Sequence, residues 1–184
     1  MKSFLPAIAI ATGGLLGLAS FGAHAADGTI SFTGTVTANT CSINGKTAGS
    51  AADLNIKLDD VTASSLAAAG ATGGTTATPF EFNLTNCTGG ATKAVAHFEN
   101  GPTVDTITGN LTNSGTAKNV QVQLLNAKRL PINIVTEGNN DITNNSTDIS
   151  SGSGTLQYYS QYYSLGGAVA GSVNTSVQYT MQYQ

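Results

Sequence analysis

The sequence predicts an all-β chain, an antiparallel sandwich, and three observations carry that reading. Short stretches alternate apolar and polar residues with a period of two, the mark of half-buried strands. Turn residues interrupt them at short intervals, and a single alanine-rich stretch is the sole candidate helix. About eight such strands with so little helix fit a two-layer antiparallel architecture.

The chain has 184 residues. Lys2 is followed by an uncharged run, rich in Ala, Leu, Ile and Gly, through residue 23. Ala23-His24-Ala25 has the small-x-small form of a secretory cleavage site, so residues 1–25 are expected to be a removed signal peptide. A membrane anchor is the competing reading, since the run is just long enough to span a bilayer. Its glycine and alanine content and small terminal residues favour export.

From Gly28 to Cys41 the chain reads GTISFTGTVTANTC. Ile30, Phe32, Gly34, Val36 and Ala38 fall on one face, and Thr29, Ser31, Thr33, Thr35 and Thr37 on the other. A strand so patterned, free at one end after processing, needs a groove in its own chain or in another.

Asn44-Gly45 signals a turn, and Leu54 to Leu58 alternates as a short strand. Asp59-Asp60 is a solvated turn, since no third ligand or acid–base partner lies nearby. Residues 62–70 form the candidate helix, with Thr62 or Ser64 as cap and Gly70 as terminator. Residues 73–76 are expected to be a flexible loop. Phe80, Phe82 and Leu84 alternate in a strand running into Cys87, with Pro79 at its first position.

Lys93 to Phe98 is a further strand with Val95 inward, and Ile107 to Leu111 a weaker one. Asn119 to Leu125 places Val120, Val122 and Leu124 on one face. Residues 126–129 turn the chain so that Leu130 to Val135 pairs back. Residues 137–154, rich in Asn, Ser, Thr, Asp and Gly, are expected to be a long surface loop. Leu156 to Tyr163 is a strand, and residues 166–171 a connection. At the terminus Val173, Thr175, Val177, Tyr179, Met181 and Tyr183 face one way and the intervening residues the other.

The composition excludes several functions. Charged residues are 9% of the chain and acids outnumber bases, which gives no footprint for nucleic acid. Two cysteines, Cys41 and Cys87, in an exported chain argue for one disulfide, with buried free thiols the competing reading. Such a bridge closes a loop of about 45 residues and is worth roughly 4 kcal/mol in the chain-entropy model. Two isolated cysteines with no histidine near them make no metal site. His97 has no nucleophile motif beside it, and no phosphate loop, H-E-x-x-H or CxxC occurs. Neither an enzymatic activity nor a cofactor is expected. Tyr158, Tyr159, Tyr162 and Tyr163 would suit a sugar-stacking platform, but two of them are expected to face the core.

Four motifs in order resemble the subunits of chaperone–usher fimbriae, most like major pilins of the type 1 kind. GTISFTGTVTANTC looks like the family's N-terminal extension, running into the first strand and first cysteine. TASSLAAAGATGGTTATPFEFNLTNC is similar to the segment leading to the second cysteine. KNVQVQLLNAKRLPIN resembles the central hairpin, and QYYSQYYSLGGAVAGSVNTSVQYTMQYQ the family's end, with Tyr183 as its penultimate tyrosine. Residues 137–154 depart from the family pattern.

The resemblance implies an incomplete immunoglobulin-like sandwich, completed by a donor strand from a neighbouring subunit. Residues 26–40 would be the donor extension running into the first strand, and residues 41–184 the pilin domain. Ile30, Phe32, Gly34 and Val36 would be the inserted positions. Val177, Tyr179, Met181 and Tyr183 would flank the acceptor groove, which also binds the chaperone. The implied partners are identical subunits, a periplasmic chaperone, an outer-membrane usher and a tip adhesin, with export through the periplasm to a surface fimbria. A minor or adaptor subunit, and a secreted carbohydrate-binding module, are the alternatives.

Overall fold

The computed structural model describes residues 30–33, 38 and 40–184. The chain divides into two units, Met1–Thr35 and Val36–Gln184. In the first, residues 30–33 belong to no strand, and Ile30 and Phe32 are 81% and 91% exposed. Gly34, Val36 and the cleavage site lie outside the described residues.

The second unit is an antiparallel sandwich. Its strands are β1 (Thr40–Ile43), β2 (Thr72–Gly73), β3 (Phe80–Thr88), β4 (Lys93–Phe98), β5 (Leu111–Thr112), β6 (Lys118–Leu125), β7 (Thr147–Asp148), β8 (Gly154–Val169) and β9 (Tyr179–Tyr183). One sheet has the order β1-β3-β8-β6-β5, with β2 pairing on β8 beyond the reach of β3; the other has the order β7-β4-β9. Strand β8 is the spine of the larger sheet, because its alternating residues from Leu156 onward pair with three other strands.

Side chains from both sheets meet in one core. Phe82 and Leu84 of β3, Ala94, Ala96 and Phe98 of β4, and Tyr158 of β8 are each no more than 4% exposed. The Tyr158 ring stands edge-on to Phe98 at 5.1 Å and Phe82 at 5.9 Å. Such edge-to-face pairs add specificity to the burial of large rings. Burial also holds the Tyr158 hydroxyl protonated, raising its pKa to about 12. Cys41 and Cys87 are bridged, with an S–S distance of 2.10 Å, and tie β1 to β3.

Several local expectations are corrected. Residues 62–70 make only one 3₁₀ turn, Ala63–Leu66, because Leu66 alone is buried and Ala67 to Ala69 stay exposed. A helix this short without an apolar stripe gains little from tertiary packing beyond the burial of Leu66. The supposed loop at 73–76 joins the sheet: Thr72 and Gly73 form β2, and the Thr76 N–H donates to the Ser160 carbonyl at 2.9 Å. Ile107 is in a turn rather than a strand, 91% exposed, where the Asp105 carboxylate accepts the N–H groups of Ile107 and Thr108, each at 2.9 Å. These bonds hold the Asp105 pKa below its usual value.

Leu130 to Val135 returns along β6 through a single bridge at Pro131, flanked by the Ile132 N–H bond to the Leu124 carbonyl at 2.8 Å and the Asn126 N–H bond to the Leu130 carbonyl at 3.0 Å. Pro131 sits at the non-hydrogen-bonded position of this bridge, where its missing N–H costs no ladder bond. Residues 166–169 extend β8 instead of connecting.

The stretch 137–154 is not simply a surface loop. It contributes β7, buries Ile149 to 2% exposure, and buries Asn140 to 5%. The Asn140 amide donates to the Ala96 carbonyl at 2.7 Å, and its oxygen accepts from the Tyr158 hydroxyl at 3.1 Å. The Ala96 N–H donates in turn to the Tyr158 oxygen at 3.3 Å. One asparagine and one tyrosine thus satisfy the backbone of a mid-strand residue on the side away from β9, where β7 no longer reaches, as buried polar groups require.

Candidate functional site

The distinctive region lies along the C-terminal segment, residues 172–184. Its even-numbered residues give their backbone groups to the fold. Gln178 accepts from the Glu99 N–H at 2.8 Å, Asn174 from the Ser114 N–H at 2.9 Å, and Ser172 from the Ala117 N–H at 3.0 Å. Gln184 exchanges two bonds with Lys93, at 2.9 and 3.0 Å. In an extended chain, successive residues point their N–H and C=O groups to opposite sides. The backbone groups of Val173, Thr175, Val177, Tyr179, Met181 and Tyr183 therefore face away from β4. Among the described residues they have no backbone partner, and β9 ends its sheet.

The segment alongside has the same character. Leu54 to Leu58 was expected to be a strand, but residues 51–61 form no backbone–backbone hydrogen bond with any described residue. Alternation alone makes no strand where no ladder partner is within reach. Three contacts place this segment, and β1 before it, beside the C-terminal one, running in the opposite sense. The Cys41 N–H donates to the Tyr183 hydroxyl at 3.2 Å, and the Tyr179 hydroxyl donates to the Ala52 carbonyl at 2.8 Å. Farther along, Val61 and Val173 line one depression of about 250 Å³ with Leu66, Val120 and Tyr162. Each of the two hydrogen bonds joins a tyrosine side chain to a backbone group, and neither is a backbone–backbone ladder bond.

Burial tells the same story. Leu54, Leu58, Val173, Val177, Tyr179, Met181 and Tyr183 all pack on the core yet remain only partly buried, and Ile56 is 40% exposed. The Tyr179 ring lies 4.6 Å from that of Phe82, so the floor between the two edges is core itself. Burial, with Asp53 nearby, raises the pKa of Tyr179, and burial raises that of Tyr183. Two facing edges with free backbone groups, over a half-covered apolar floor, are what a sandwich presents where one strand is missing.

The structure therefore brings Val177, Tyr179, Met181 and Tyr183 together on one edge. Ile30 and Phe32 are exposed, and Gly34 and Val36 are among the residues not described. Sequence reasoning missed the opposite edge, Ala52 to Val61; the Leu54–Leu58 alternation was its only signal. Other candidates gather no site. Tyr158 is in the core and Tyr159 lies under the Arg129 guanidinium at 4.5 Å, so the tyrosines make no joint platform. His97 sits between Glu99 at 3.7 Å and Glu137 at 3.3 Å. Among the described residues no cluster of three metal-ligating side chains occurs.

Comparison with known proteins places the fold and the family. A family model described as FimA, type-1 fimbrial protein, A, matches residues 58–184. The chain is 41% identical over 153 residues to the major fimbrial subunit SMF-1 of Stenotrophomonas maltophilia (strain K279a), covering 80% of this chain and 86% of that one. It is 42% identical over 121 residues to the F17 fimbrial protein of Escherichia coli, covering 62% and 64% respectively. Among solved structures, the P pilus rod subunit PapA has a TM-score of 0.57 at 19% identity, covering 79% of this chain and 99% of that one. The CupB6 tip adhesin from Pseudomonas aeruginosa has a TM-score of 0.53 at 16% identity, covering 70% of this chain but 35% of the adhesin. These two likenesses bear on the fold alone, an incomplete immunoglobulin-like sandwich. The chain belongs to the type-1 fimbrial protein family and is a structural, non-enzymatic subunit of a surface fimbria.

Proposed function

We propose that the subunit polymerises by donor-strand exchange, with residues 28–38 of one copy entering the gap between residues 51–61 and 173–183 of the next. The observation that carries this reading is the pair of facing edges whose backbone groups lack backbone partners among the described residues. The donor offers the same length of alternating chain as the C-terminal edge, about 33 Å at the usual strand rise. Exposed Ile30 and Phe32 have most of their apolar surface still to bury. With Val36, at roughly 1.5–3 kcal/mol each, burial contributes about 5–9 kcal/mol as an upper range. Each ladder hydrogen bond adds about 0.5–1.5 kcal/mol. Gly34, lacking a side chain, suits a shallow part of the floor.

In this account residues 1–25 are a signal peptide, residues 26–40 the extension and residues 41–184 the sandwich. A periplasmic chaperone occupies the same gap until an outer-membrane usher exchanges it for the next subunit, below a tip adhesin. Gly34→Asp tests the reading, because it leaves the fold intact while placing a charge on the inserted face. Subunit should accumulate with the chaperone and no fibres should form. Normal fibres on cells carrying the change would refute the assignment.

A further inference from the structure

We infer that the Tyr179 phenol is a positioning strut, which holds the two edges of the gap one strand's width apart. The inference rests on the strand-uptake reading above and concerns how the same site is shaped. A strand inserted between two others needs them roughly 9.6 Å apart, twice the interstrand spacing. That distance is bridged here by one side chain and one hydrogen bond. The Tyr179 ring lies against Phe82 at 4.6 Å, on the floor, and its hydroxyl donates to the Ala52 carbonyl of the far edge at 2.8 Å.

Residues 51–61 make no backbone–backbone hydrogen bond to described residues, so little else fixes the far edge at that level. Leu54 and Leu58 contribute apolar packing, which is not directional. A hydrogen bond from a ring already clamped by packing is directional. Tyr183 acts likewise at the other end, where its hydroxyl accepts from the Cys41 N–H at 3.2 Å. Both rings also cover core that would otherwise face the gap, so removing a hydroxyl separates spacing from coverage.

The test uses the full mature chain and a fluorescent synthetic peptide of residues 26–40, added in excess, with release followed after dilution into unlabelled peptide. Y179F keeps the ring and removes the strut. It should release the peptide about threefold to tenfold faster than wild type, the effect of losing one hydrogen bond. Unfolding of the chain without peptide should change by a smaller factor, because there the bond is only part-buried and water can take the hydroxyl's place. Y183F should show the same sign and gives a second, independent reading. Wild-type release rates in both variants would overturn the inference. So would faster release matched by an equal loss of stability in the peptide-free chain, which marks a general structural role. A wild-type chain that takes up no peptide at all overturns the strand-exchange reading, and the strut with it.

Discussion

Replacing Asn140 by alanine should destabilise the subunit by about 2–5 kcal/mol, although the residue lies in an Asn-rich stretch that reads as dispensable. The side chain is 5% exposed and makes two bonds, to the Ala96 carbonyl at 2.7 Å and from the Tyr158 hydroxyl at 3.1 Å. Ala96 is fully buried and Tyr158 nearly so, which keeps water from replacing either partner. Each stranded buried group costs about 1–3 kcal/mol, and the truncation leaves a void besides. Against a typical stability of about 5–15 kcal/mol, that is a large fraction.

Urea unfolding of the mature chain, followed by near-ultraviolet circular dichroism of the core tyrosines, is the assay. The midpoint should fall with the slope unchanged. Asn140→Asp sharpens the test. A carboxylate cannot donate to the Ala96 carbonyl, and burial raises its folded pKa. The variant should thus be most stable at low pH and lose stability as pH rises through that raised value. A midpoint shift in Asn140→Ala worth less than about 0.5 kcal/mol would refute the reasoning, since that is the range of neutral surface changes.

Three further outcomes follow from the same structure. Cys41→Ser removes a cross-link spanning 46 residues and should cost about 4 kcal/mol, lowering periplasmic yield before any assembly defect; unchanged yield would count against it. The depressed pKa of Asp105 gives stability that is full above the ordinary value of 3.8 and lost as pH falls through the folded value. Asp105→Asn keeps an acceptor for the Ile107 and Thr108 N–H groups, so the acid limb of its stability profile should flatten; an unaltered limb would place that dependence elsewhere. Gly109→Ala should lose more than about 1 kcal/mol by thermal unfolding. At Gly109 φ is +72° and a Cβ would come within 2.4 Å of the Asn133 side chain, which itself holds the Val135 and Thr136 N–H groups.

Period-two patterning was legible in β3, β6 and β8 but not in β4, where Ala94, Ala96 and Phe98 face the core and the expected Val95 is buried outside that cluster. Phe82 and Leu84, Val120, Val122 and Leu124, and Leu156 and Tyr158 all lie inward as their spacing requires. The polar residues between them were less readable. Gln121, Gln123 and Gln161 alternate as solvent-facing positions but are buried, because Thr75, Thr108 and Asn110 fold over that face and bond to them. Local pattern does not encode which loop returns over a sheet.

The same limit applies to the site. Residues 173–184 announced themselves by clean alternation, whereas Leu54 to Leu58 alternates too but pairs with no described residue. Pattern reports that a segment is extended and half-buried. Whether a neighbour lies within hydrogen-bonding reach is a property of the assembled fold.

The claim at the centre, that one copy's extension completes another's sandwich, is tested most directly by a photo-crosslinking residue in place of Phe32. Mature chains carrying it are mixed with isotopically labelled chains lacking it, irradiated after assembly, and mapped by mass spectrometry. The account predicts adducts between differently labelled chains, landing within residues 51–61 or 173–183. Adducts confined to the chain that carries the probe would contradict it.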